Sequence, residues 1–170
     1  MRTSTQRGFT LMELVIGILV SAIAIVLLTS VLFPQADKAA DSLQRVRSAE
    51  LAHSIMNEIW GKRYDNASGA NGGLPACNSA GAPSCTDEAD FGPEAGKSRD
   101  DYDDVDDYHG LNASSLMLQS SASYQDVYPN YGLAVSVSYL DATQAQKLVE
   151  VTVTTPNGEP ISYSAIRSNY

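Results

Sequence analysis

From Leu14 to Ala36 the chain runs 23 residues without a charge. Coiled as a helix at about 1.5 Å per residue, such a run spans the roughly 30 Å hydrocarbon core of a bilayer. A helix buried in a soluble domain carries a polar face, but Leu14–Leu28 offers only Gly17 and Ser21. The pattern therefore predicts one membrane-crossing helix. Arg2 and Arg7, in the short polar stretch before it, hold the N-terminus on the cytoplasmic side, so the chain beyond about Phe33 is expected across the membrane. In a bacterium that means the periplasm or the cell surface. An ordinary cleaved signal peptide is the alternative. Its small-x-small site is met by Ala22-Ile23-Ala24, but nine more mostly apolar residues follow, and no cysteine follows for a lipid anchor.

Glu13 is the one charge between Phe9 and Phe33. An ionised carboxylate inside a bilayer costs about 2.5–3.5 kcal/mol on insertion scales, so it needs a partner or a purpose. Nothing basic lies within the span. An α-amino group can serve: a cut between Gly8 and Phe9 would leave a new amine four residues from Glu13, one helical turn away. The same amine could come from a neighbouring copy. A signal-anchor with a chance acid is the competing reading.

The string Arg7-Gly8-Phe9-Thr10-Leu11-Met12-Glu13-Leu14 resembles the class III leader of type IV pilins and pseudopilins. The resemblance implies a prepilin peptidase that cuts after Gly8 and methylates the amine of Phe9. It also implies that Glu13 pairs with the Phe9 amine of an adjoining subunit during assembly. Cleavage would leave 162 residues and move the formal charge from −9 to −11. Pro34, the first proline, comes a few residues later than in many pilins. The implied partners are other pilins, the peptidase, an inner-membrane assembly platform and the bilayer. The implied location is a single-pass inner-membrane protein with a periplasmic C-terminal domain, displayed at the cell surface once incorporated in a pilus.

Residues 34–60 read as a second, amphipathic helical segment. Ala36, Ala40, Leu43, Val46, Leu51, Ile55 and Ile59 recur at three-to-five-residue spacing with charges mostly between them. The pattern resumes at once after Pro34, which is expected to bend the helix and not to end it. Residues 61–110 are irregular, rich in Asn, Ser, Gly, Pro and Asp. Cys77 and Cys85 bracket seven residues, and in an oxidising compartment a local disulfide is the natural reading, worth about 2–3 kcal/mol. Six carboxylates crowd positions 100–107. A solvated acidic loop is expected there. Calcium is the alternative, with Asp101, Asp103, Asp104 and Asp106 as candidate ligands, although Val105 and Asp106 stand where an EF-hand needs a ligand and a glycine. No other metal or cofactor is expected.

The stretch 111–170 reads as antiparallel sheet. Leu133, Val135, Val137 and Tyr139 alternate with small residues, and Val149, Val151 and Val153 alternate with Glu150, Thr152 and Thr154. Ile161, Tyr163 and Ala165 continue the pattern beyond a turn at Asn157-Gly158, both able to take the positive φ a hairpin uses. The fold class is thus α+β: a cleaved leader 1–8, a membrane or filament-core helix 9–33, an amphipathic helix 34–60 and a small antiparallel sheet it covers.

Function follows by exclusion and by likeness. Eleven basic against twenty acidic residues leave no basic footprint for nucleic acid. No nucleophile elbow, phosphate loop or zinc-binding helix motif occurs, so catalysis is not expected. His53 and His109 are read as structural or exposed. Trp60-Gly61-Lys62-Arg63-Tyr64, Gly92-Pro93-Glu94, Asp103–Leu111 and the closing Arg167-Ser168-Asn169-Tyr170 resemble the minor pilin-like branch of mannose-sensitive haemagglutinin pilus systems. That branch implies assembly, initiation or tip duty in a filament, with surface attachment. A type II secretion pseudopilin, and an anchored periplasmic binding module or enzyme, are the alternatives.

Overall fold

The computed structural model describes residues 8–69 and 73–170. Residues 1–7 of the leader, with Arg2 and Arg7, lie outside the described residues. Helix α1 spans Leu11–Trp60 and continues through Pro34. A short helix α2 covers Tyr124–Val127, and strands β1 (Gly132–Tyr139), β2 (Gln146–Thr154) and β3 (Pro160–Ser168) complete the regular elements among the described residues, with three single-turn 3₁₀ helices in the loops. The chain divides into two compact units, before and after Leu43–Gln44.

The first unit is the apolar part of α1. Leu11–Leu32 has a mean hydropathy of 2.8 and none of it is buried. Two of its polar side chains bond within the helix: Thr29 Oγ1 donates to the carbonyl of Ile25 and Ser30 Oγ to that of Leu27. Backbone groups and hydroxyls so closed off leave a surface that lipid or another helix can cover. Among the described residues it is the one helix long and apolar enough to cross a membrane.

The second unit is a three-stranded antiparallel sheet in the order β1-β2-β3, covered by the last turns of α1. The register sets Leu133 opposite Val153, Val135 opposite Val151 and Val137 opposite Val149. These side chains meet Leu51, Ala52, Ile55 and Ile59 of α1, and Val105, Tyr108, Leu111 and Tyr124 from the loops close the same core. The result is the α+β, pilin-like architecture anticipated from the alternation of the strands.

Three expectations need correction. The buried face of α1 starts at Ser48 and continues through Leu51, Ala52, Ile55 and Ile59, whereas Leu43 and Val46 are 61% and 52% exposed. One helix presents one stripe to a flat sheet, and Leu43 and Val46 fall off that stripe. The sheet begins at Gly132, not near residue 111. Before it, polar side chains take the backbone amides: Asn112 Oδ1 accepts from Ser114 N–H, Ser115 Oγ from Asn112 N–H, and Ser120 Oγ from Ala122 N–H. Such local bonds compete with a strand ladder. In the β2–β3 turn only Gly158 takes a positive φ, +87°, and Thr155 N–H donates to the carbonyl of Glu159 to close it.

Candidate functional site

The N-terminal site begins before the first helical turn. Thr10 caps α1, its Oγ1 accepting from the backbone N–H of Glu13 at 3.3 Å while its carbonyl accepts from Leu14. Thr10-x-x-Glu13 has the spacing of a capping box, and the structure forms the threonine half of it. Glu13 thereby lies in the first turn, where the helix dipole favours an anion. Gly8, Phe9 and Glu13 are all exposed, Phe9 by 80%, so the Gly8–Phe9 bond is accessible and the carboxylate is open to a neighbour. Phe9 and Glu13 border a shallow groove along the helix that Gly17 and Ser21 continue. The arrangement presents an exposed Gly-Phe bond and an acid at one end of an apolar rod. Residues 3–29 match the prokaryotic N-terminal methylation motif.

The match supports a type IV pilin or pseudopilin. It implies processing by a prepilin peptidase and assembly with other pilins, and it suggests a structural subunit and not an enzyme. With the apolar helix Leu11–Leu32 it suggests membrane anchoring. No curated protein and no solved structure matches the chain.

The second place where chemistry gathers is the acidic segment, and here the structure overturns the solvated loop. Asp104, Asp106 and Asp107 are buried, at 1%, 4% and 1% exposure. Charges of one sign enter a protein interior only with counter-charges and hydrogen bonds, and the chain supplies both. Lys97 Nζ lies 2.5 Å from Asp103 Oδ1, 2.7 Å from Asp107 Oδ2 and 2.7 Å from Glu94 Oε2. Arg63 pairs with the other oxygen of Asp103. Asp107 Oδ2 also accepts from the backbone N–H groups of Asp103 and Asp104. Asp101 turns back to cap Ser98, whose side-chain and backbone bonds hold its carboxyl below the ordinary aspartate value.

Of the four candidate calcium ligands, the structure brings Asp103 and Asp104 together, adds Asp107, and sends Asp101 to Ser98 and Asp106 to Lys147. The Lys97 ammonium bridges Asp103 and Asp107, so the positive charge these acids call for comes from the chain itself. Asp104 stands apart in its titration. Burial, then the charges of Asp106 and Asp107, push its carboxyl up to about 8, against the opposing pull of the Asp107 amide and Lys97.

Asp106 meets the residue that sequence reasoning missed. Lys147, the second residue of β2, has no exposed surface and lies 2.7 Å from Asp106 Oδ1 and 3.0 Å from Asp65 Oδ2. Asp65 is equally buried and accepts from Ala67 N–H, Thr86 N–H and the Thr86 hydroxyl. Burial alone would raise its carboxyl, but Lys147 and these donors bring it below the ordinary value. A second buried pair joins Arg99 to Glu58 of α1 at 2.7 Å, with the Tyr108 hydroxyl donating to Glu58 at 2.8 Å. One signal did point to Lys147: it shares the parity of Val149, Val151 and Val153, and hence their face of the strand. Nothing in the sequence pairs Arg99 with Glu58 across 41 residues.

Cys77 and Cys85 form a disulfide, with Cα atoms 5.0 Å apart, in a small core under Tyr64. His109 Nδ1 accepts from Val137 N–H at 3.1 Å, a structural role, while His53 is exposed beside Tyr163.

Proposed function

We propose that the chain is a minor pilin-like subunit of a type IV pilus of the mannose-sensitive haemagglutinin type, most like the biogenesis protein MshD. Its work is in assembly and initiation or at the filament tip, and through the filament in surface attachment. The reading is carried by the methylation motif laid over residues 3–29, with Glu13 at the mouth of an uncovered 22-residue apolar helix. Such a helix leaves lipid only when like helices replace the lipid around it. Glu13 then sets the register, because its charge is relieved by the Phe9 amine of the next subunit. The assembly platform in the inner membrane is the partner that would draw it from the bilayer. The motif stretches of residues 60–64, 103–111 and 167–170 favour the haemagglutinin-type branch.

Mass spectrometry of the N-terminus from the native host tests the processing. The chain is expected to begin at Phe9 and to carry one extra methyl. Glu13→Ala is expected to abolish filament incorporation while the soluble unit stays folded. A chain that still begins at Met1 in normal filaments overturns the reading. A type II secretion pseudopilin shares the same N-terminus, and loss of secretion with intact pili on gene deletion would identify that role instead. Normal filaments and secretion without the chain would point to an anchored binding module.

A further inference from the structure

The surroundings of Lys147 suit bond formation as well as ion pairing. Its Nζ lies 2.7 Å from Asp106 Oδ1, 3.0 Å from Asp65 Oδ2 and 2.9 Å from the carbonyl of Tyr64, with no exposed surface. The rings of Tyr64, Phe91 and Tyr139 stand 4.5, 4.8 and 5.5 Å from the same nitrogen. We propose that Lys147 and Asp106 condense to an intramolecular isopeptide bond, with Asp65 carrying the proton.

Geometry supplies the first requirement. A hydrogen bond of that length to Oδ1 sets Nζ within about 3.5 Å of the Asp106 carboxyl carbon, the separation of a near-attack pair. The second requirement is a neutral amine facing a neutral acid. One proton passed from the Lys147 ammonium to the Asp106 carboxylate makes that pair, and burial raises the Asp106 carboxyl toward accepting it, against the opposing charge of Lys147. The third is a base that stays ionised. Asp65, held low by its amide donors and Lys147, fits that part and touches the reacting nitrogen.

The step balances without a co-reactant. The Nζ lone pair adds to the carboxyl carbon of Asp106, forming the C–N bond. Asp65 takes a proton from the nitrogen and returns it to the departing hydroxyl. The C–OH bond breaks, one water leaves, and Asp65 ends as it began. The two carboxylates are distinguished by their bonding. Asp65 is fixed by four donors, whereas the side chain of Asp106 is directed at Lys147. The product ties the irregular 61–110 segment to strand β2 by a covalent bond.

The test is the intact mass of the full chain, purified in detergent from its native host. The expected mass is one water lighter than the processed sequence with its disulfide closed. A protease digest is expected to yield a branched peptide joining Asp106 to Lys147. Lys147→Arg and Asp106→Ala are expected to restore the linear mass, and Asp65→Asn to leave the unmodified chain folded but unlinked. A wild-type chain at full mass, with the two residues on separate linear peptides, overturns the proposal. So does a water loss without a branched peptide, or a branch through Asp65. The decisive measurement is made on wild type, so misfolding of a variant does not protect the idea.

Discussion

Asp104→Asn should make the protein more stable at neutral and alkaline pH, and the reason lies in where that carboxyl is buried. Asp104 is 1% exposed, accepts one hydrogen bond from the Asp107 amide at 3.1 Å, and feels the charges of Asp106 and Asp107 more than that of Lys97. Its pKa rises from 3.8 to about 8, chiefly through burial. In the unfolded chain it ionises near pH 4. Between these values the folded state holds a proton that the unfolded state has released, so stability falls as pH rises, by about 1.4 kcal/mol per unit for one proton. The contribution is fully present below about pH 4 and lost as pH passes about 8, a change on the order of 5 kcal/mol. That is a large share of the roughly 5–15 kcal/mol that holds a typical domain. Asparagine keeps the accepting oxygen and removes the titration. Its amide can also face Asp107 Oδ1, which is buried without a hydrogen-bond partner among the described residues. Carboxylate oxygens of Asp103, Asp104 and Asp107 lie within 4.8 Å of one another. The assay is urea unfolding of the full chain in mild detergent, followed by the near-ultraviolet circular dichroism of its nine tyrosines. Wild type and variant should agree near pH 4 and separate steadily toward pH 8, the variant being the more stable. Parallel pH profiles would refute the assignment of this proton.

Other changes probe other parts of the same unit. Ile55→Ala empties a fully buried position between α1 and the valines of the sheet, and should cost about 2–5 kcal/mol in the same unfolding assay. Arg99→Ala leaves Glu58 without its cation and the Tyr124 hydroxyl without its donor. The pair is 6% and 13% exposed, so a loss of about 3–5 kcal/mol is expected, read as a lower urea midpoint. Reduction of Cys77–Cys85, a link across eight positions, should cost about 2–3 kcal/mol, and hydrogen exchange should report it first around Tyr64 and Asn169, which pack or bond there.

Much of the strand architecture was legible because a strand's side chains alternate with period two. Val149, Val151 and Val153 announce a buried face, and their partners on β1 and β3 follow from the same rule. The helix was legible as a length, read as 9–33 and 34–60 and found as Leu11–Trp60, but its buried stripe was not. Leu43 and Val46 satisfy a helical period as well as Leu51 and Ile55 do, and only the position of the sheet separates them. The acidic run was misread for a similar reason. Composition shows six acids in eight positions, while the cations that permit their burial are Lys97, just before the run, and Arg63 and Lys147, some 40 residues away on either side.

What the sequence settled by itself is local. A charge-free run long enough to cross hydrocarbon, a Gly-Phe bond, and a glutamate one helical turn beyond it are facts of order along the chain, and their physics needs no neighbours from elsewhere. Tertiary structure decided the rest. It alone determined that Lys147 would face inward between Asp65 and Asp106, and that Asp104 would be buried beside Asp106 and Asp107 with its carboxyl pushed up. The reason is that the energy of a charge is set by what surrounds it in space, and a one-dimensional pattern cannot state that distance.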